Sequence, residues 1–172
     1  MAFGDKPFGL NEVKLKKGAT VVTLPVAQKL TLKERVRGGE MSGDDKIASV
    51  VAISEAFDWE LEAGGIALDA LALLTGRTAT TSGTAPAQTM TLSSASGQSF
   101  PYILIFGKSV GDNGDDIHVK VWKAKVMELS GEFADNAFYV TKCTGIAIGD
   151  SANGNKIVDF IQHETATSIV TT

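Results

Sequence analysis

Cysteine, histidine, proline and aromatic residues are scarce in this chain, and most of these scarcities exclude something. The single cysteine, Cys143, rules out an internal disulfide framework. Two histidines, His118 and His163, leave little for a zinc site. Aromatic residues make up 7% of the total, few for a module that grips its ligand on an aromatic face. No apolar run is long enough to span a membrane. Residues 78–107 carry no charge, but polar and small residues dominate up to Gln98, and the apolar part runs only from Phe100 to Phe106. The opening Met-Ala-Phe-Gly-Asp-Lys lacks the apolar core of a secretory signal, so export by that route is not expected. Basic residues do not outnumber acidic ones (16 against 20, formal charge -4), which disfavours a nucleic-acid-binding domain.

What is present is an ordinary globular composition, 44% hydrophobic and 21% charged over 172 residues, and it predicts one domain covering residues 1–172. Glycine stands out, 18 residues against four prolines, and calls for tight turns or close backbone approaches. Residues 1–18 read as an N-terminal arm entering a first strand, and Thr20–Leu24 is short, β-branched and ended by Pro25. From Lys29 to Arg37 the alternation is clean. Leu30, Leu32 and Val36 face one way; Lys29, Thr31, Lys33, Arg35 and Arg37 face the other, with Glu34 the one polar residue on the apolar side. Residues 38–46 read as a polar, glycine-rich loop. A long strand follows from Ile47 to Glu62, with Val51, Ile53, Phe57, Trp59 and Leu61 on one face and Ala52, Ser54, Ala56, Asp58, Glu60 and Glu62 on the other. Its acidic face can answer the basic face of the preceding strand.

Gly64-Gly65 breaks that strand. A helix is predicted from Ile66 to Thr75, with Asp69 in its first turn and Gly76 at its C-terminal cap; Ile66, Ala70, Leu73 and Leu74 form its apolar stripe, which Leu68 and Leu71 widen. After a polar stretch at 77–88, strands are predicted at Thr89–Ser93, Tyr102–Phe106, Ile117–Val121, Phe138–Cys143 and Ile157–Gln162. Asn113-Gly114 and Asn153-Gly154 supply tight turns. Residues 165–172 form a tail of strand-like composition with no clear anchor. The expected fold is mainly β: an antiparallel β-sandwich or partial barrel with one short α-helix packed on it.

The chemistry-bearing residues form no recognisable motif. Neither His118 nor His163 accompanies a nucleophile signature such as G-x-S-x-G, and Cys143 reads as a packing residue. Asp112, Asp115 and Asp116, Asp44 and Asp45, and Asp150 near Asn153 and Asn155 look metal-like, yet none follows the calcium-loop spacing, and turns need these residues for backbone reasons. No phosphate-binding loop is present. No catalytic, cofactor-binding or metal-binding residue is therefore assigned, no cofactor is expected, and the chain is not expected to be an enzyme.

Three features together resemble one family: the long strand pair, the Gly/Asp-rich connection Arg37–Lys46, and the passage from the second strand into Gly64-Gly65-Ile66-Ala67-Leu68-Asp69-Ala70-Leu71-Ala72-Leu73-Leu74-Thr75-Gly76. This is similar to the major tail tube protein of long-tailed bacteriophages. The resemblance covers most of the chain as an order of elements and residues 37–76 in sequence character. It implies a structural virion protein, assembled in the host cytoplasm and carried in the tail. Copies of the chain would form stacked hexameric rings whose long strands join into one barrel around a channel for DNA, with the helix and a second sheet outside. Other tail proteins, such as the tape measure and the terminator, would be partners, and DNA would pass without specific binding. The same fold extends to contractile tails and type VI secretion tubes. Carried onto this sequence, the ring-stacking loop (37–47) is Gly38, Gly39, Glu40, Met41, Ser42, Gly43, Asp44, Asp45 and Lys46. Lumen-facing candidates are Ser54, Asp58, Glu60 and Glu62; if Lys29, Lys33, Arg35 and Arg37 share their face, the lumen is mixed rather than negative, and an ordinary solvated sheet face fits the same alternation. Candidate assembly contacts at the termini are Phe3, Phe8, Ile169 and Val170. The alternatives are another tail or injection-system component, a β-sandwich binding or adhesin module, or an enzyme using His118 as a base.

Overall fold

The computed structural model describes residues 7–43, 46–65 and 67–171. In chain order the elements are β1 (Pro7–Lys17), β2 (Thr20–Leu24), β3 (Ala27–Gly43), β4 (Lys46–Gly64), α1 (Leu68–Thr75), β5 (Ala79–Ser82), β6 (Thr89–Leu92), β7 (Tyr102–Gly111), β8 (Asp116–Glu132), β9 (Val140–Ala147) and β10 (Val158–His163). The chain is mainly β, and every strand ladder is antiparallel. The large sheet runs β2-β1-β7-β8-β9-β4-β3, and β5 and β6 form a separate hairpin. Strand β8 is long enough to carry two partners end to end on one edge. Its first part, Asp116–Val121, pairs with β10, and its second part, Ala124–Glu132, pairs with β9.

The sheet curls on itself as a partial barrel. The start of β3 returns beside β1 and β7, where a side chain on Gly107 would sit 2.9 Å from the Leu30 side chain. Alternating residues of six elements fill the interior: Val13 and Leu15 from β1, Trp59 and Leu61 from β4, Ile103 and Ile105 from β7, Val121, Ala124 and Val126 from β8, Cys143 and Ala147 from β9, and Ala70, Leu73 and Leu74 from α1. Trp59, 2% exposed, lies across Gly145. A Cβ there would stand 2.6 Å from the indole and 2.0 Å from the Lys125 carbonyl oxygen, so the indole needs the bare backbone. Helix α1 begins at Leu68 rather than Ile66, which lies outside the described residues. It ends on Gly76 in the left-handed conformation (φ 71°), whose N–H returns to the Ala72 carbonyl.

Several sequence expectations change. Residues 7–17 are not an arm but β1, an inner strand, because Val13 and Leu15 alternate into the core. Within the polar stretch 77–88, Ala79–Ser82 is a strand, held by Met90 and its neighbours in β6. Phe138 precedes β9 and is exposed. The expected loop at 38–46 is mostly strand as well: Gly38 to Gly43 continue β3 and pair with Ala52 to Lys46, because the partner strand supplies ladder bonds that override the loop-like composition.

Candidate functional site

The feature that sets this molecule apart is the β3–β4 hairpin, with strands of 17 and 19 residues. Its two halves have different surroundings. From Phe57 to Gly64, β4 lies between β3 and β9. Before Phe57 it pairs with β3 alone among the described residues, and β3 ends the sheet with its outer edge unpaired among them.

In the proximal half, the register places Lys29 opposite Glu62, Thr31 opposite Glu60 and Lys33 opposite Asp58. Directly opposed residues share a face, so the basic residues of β3 and the acidic residues of β4 interleave. Lys29 Nζ lies 2.7 Å from Glu60, and Lys142 of β9 lies 3.2 Å from Glu60 and 3.3 Å from Glu62. Arg35 grips Asp58 with two bonds, Nε at 2.8 Å and Nη2 at 2.7 Å. The hydrogen bonds from Lys29 and then Lys142 hold the Glu60 carboxyl below the ordinary carboxylate range, and Glu60 in turn raises both lysines. Asp58, Glu60 and Glu62 are thus on one face as expected, but that face is charge-compensated rather than negative.

A β-bulge divides the two halves. Arg35 pairs with Ala56 and Val36 pairs with Ser54, leaving Glu55 as the extra residue. One extra residue inverts the alternation. Ser54, expected beside Asp58, therefore lies on the Trp59 side. Val51 and Ile53, expected beside Trp59, lie on the charged side, opposite Gly39 and Arg37. Glu55 joins that side and meets Arg37 at 3.0 Å. Beyond the bulge both faces carry exposed apolar residues: Met41, Val51 and Ile53 on one, Val36 and Val50 (68% exposed) on the other. Of the stacking-loop candidates, Gly38 to Ser42 lie on this distal part; Asp44 and Asp45 lie outside the described residues.

The terminal candidates separate. Phe3 lies outside the described residues, and Phe8 and Val170 are exposed. Ile169 is buried against its own domain, so it is not available to a neighbour. The tail does have anchors. Lys16 donates to the Thr171 carbonyl, Lys108 donates to the Thr167 carbonyl, and the Thr167 N–H donates to Asp116 at 2.6 Å. These contacts join residues far apart in sequence, so no local pattern signals them.

The tail also covers a group that sequence spacing kept apart: Asp116, His118 and His163 meet on one face of β8 and β10. Burial alone would raise the Asp116 carboxyl, but the Thr167 N–H, Lys108 and His118 outweigh it and hold the group below its ordinary range. Among the described residues, these three form a group that could hold a metal. Cys143 is buried, its Sγ 3.7 Å from the Leu61 carbonyl oxygen, and burial pushes its thiol up to about 12, so this side chain stays protonated at neutral pH. The chain matches no protein-family model and no curated protein.

Proposed function

We propose that this chain is the subunit of a self-assembling tube, stacked in hexameric rings as in a phage tail, with the charged face of β3 and β4 towards a DNA channel. One observation carries the proposal: the distal hairpin is apolar and exposed on both faces, and only a neighbouring copy of the same chain would cover both repeatedly along a tube. The outer edges of β2 and β3, unpaired among the described residues, support it, because joining such edges between subunits closes a barrel and removes the aggregation hazard of long strands. The compensated face suits a channel that must neither hold nor repel a polyanion. Glu55, Asp58, Glu60 and Glu62 stand against Lys29, Lys33, Arg35, Arg37 and Lys142, so neither sign dominates.

Electron microscopy of the concentrated protein tests this directly. Rings or tubes are expected, and only monomers across salt and concentration series would refute it. A second reading, a binding module, draws on the exposed Phe133 and Phe138 in the β8–β9 connection. A glycan-binding signal lost on Phe138→Ala, with no assembly, would favour that module instead.

A further inference from the structure

Asp116 and His118 are two residues apart on β8 and so share a face, and His163 stands directly opposite Asp116 on β10. One ligand atom from each lies within 4.8 Å of the other two. Asp116 is fully buried, His118 is 7% exposed, and His163 is half-buried. Two polar atoms in this cluster have no hydrogen-bond partner, Asp116 Oδ1 and His118 Nε2; Nε2 faces the other Asp116 oxygen, Oδ2, at 3.3 Å without hydrogen-bond geometry. Buried polar atoms rarely stay unpaired, and two beside one another on metal-ligating side chains point to something that binds both.

We propose that Asp116, His118 and His163 form a binding site for a divalent transition-metal ion of the zinc class. Asp116 Oδ1 and His118 Nε2 are two ligands, and a ring nitrogen of His163 is the third. Two imidazoles and one carboxylate suit zinc, cobalt or nickel; calcium and magnesium take oxygen ligands instead. The second carboxylate oxygen is already fixed, accepting from the Thr167 N–H at 2.6 Å and lying 2.9 Å from Lys108 Nζ. Outer contacts of this kind orient a ligating carboxylate. His118 and His163 line a cavity of about 110 Å³, with Phe106, Lys120, Ile161 and Ile169 also on its wall, roomy enough for a water as fourth ligand. Ligands about 2.0–2.1 Å from a tetrahedral ion stand about 3.3 Å apart, so the three side chains draw inward on binding.

Lys108 is the competitor, since its ammonium already neutralises Asp116. It also donates to the Thr167 carbonyl, so it keeps a partner when an ion takes over that charge. The bound ion ties β8 to β10 and, through the Asp116–Thr167 bond, to the tail, which makes the site a clamp on the C-terminal strap.

The test is titration of chelator-stripped full-length protein with Co2+ and Zn2+, with Ca2+ as control. One saturable equivalent is expected, with a visible cobalt absorption band and a rise in the thermal unfolding midpoint with Zn2+. His163→Ala, at a half-buried position, should keep the fold and weaken binding by at least about 100-fold, because even outer-contact losses reach that range. Lys108→Met should tighten binding by removing the competing charge. Absence of saturable binding to the wild-type chain would overturn the site. So would affinity unchanged by His163→Ala, which marks an ion on the surface, or stabilisation by Ca2+ but not by Zn2+.

Discussion

The two halves of β4 share a strand and a partner, yet they do opposite things. The proximal half, Phe57–Gly64, has a neighbour on each edge, a core under one face and paired charges on the other. The distal half has one neighbour among the described residues, and its described side chains from the bulge outward are exposed on both faces. Alternation in a strand therefore specifies two faces but not what covers them; cover comes from the third strand and the opposite layer. Where these are missing within the subunit, the same apolar residues stay exposed, and in the proposed tube another copy would cover them.

Substitutions can break this contrast, and the largest effect should come from the proximal half. Trp59→Ala should cost about 3–5 kcal/mol in chemical denaturation, since it empties the centre of the core. A cost under about 1 kcal/mol would mean the proximal half is no better packed than the distal one. Gly145→Ala should cost about 1–3 kcal/mol, because its Cβ meets both the Trp59 indole and the Lys125 carbonyl oxygen. In the distal half, Val50→Lys with Ile53→Lys should change monomer stability by no more than about 0.5 kcal/mol while abolishing assembly. Unimpaired tubes from that variant would separate the distal hairpin from assembly altogether.

Thiol chemistry sharpens the same contrast. Cys143, opposite Leu61, should resist alkylation at about pH 8.5 until the chain unfolds, whereas a Val50→Cys thiol should react at once in unassembled protein. Because the folded thiol keeps its proton up to about 12, the unfolded state ionises first, and stability should fall as pH rises through that window. Cys143→Ala should flatten that slope. The smallest effect belongs to the charged face. Glu60 is held below its ordinary range, so its contribution is present above the unfolded carboxylate pKa and lost as pH falls through the lowered folded value. Glu60→Gln should remove that part of the acid slope, and added salt should shrink the difference, because these groups are exposed.

Local chemistry made part of this fold legible in the sequence. The alternation of Lys29–Arg37, the Gly76 helix cap and the Asn113-Gly114 turn each follow from residues a few positions apart, and each is where the pattern places it. The misses share a different cause. A bulge such as Glu55 inserts one residue without a compositional mark, so the faces of Ser54, Val51 and Ile53 were reversed. The glycines at 38, 39 and 43 read as a loop, but β4 supplied a ladder. The Asp116–His163 pairing and the tail anchors depend on register between distant strands, which spacing along one chain does not carry.

Glu55 has a consequence for how this strand tolerates change. Strand alternation is a two-letter code, and one inserted residue works as a frame shift: it reverses the meaning of the positions from Ser54 out to Ser49, where a second register shift follows, while leaving the letters intact. The hairpin thus holds two messages in opposite phase, one addressed to its own core and one outward. Substitutions on either side can drift separately, but a single deletion at the junction should put the positions from Ser54 to Ser49 into the wrong phase at once.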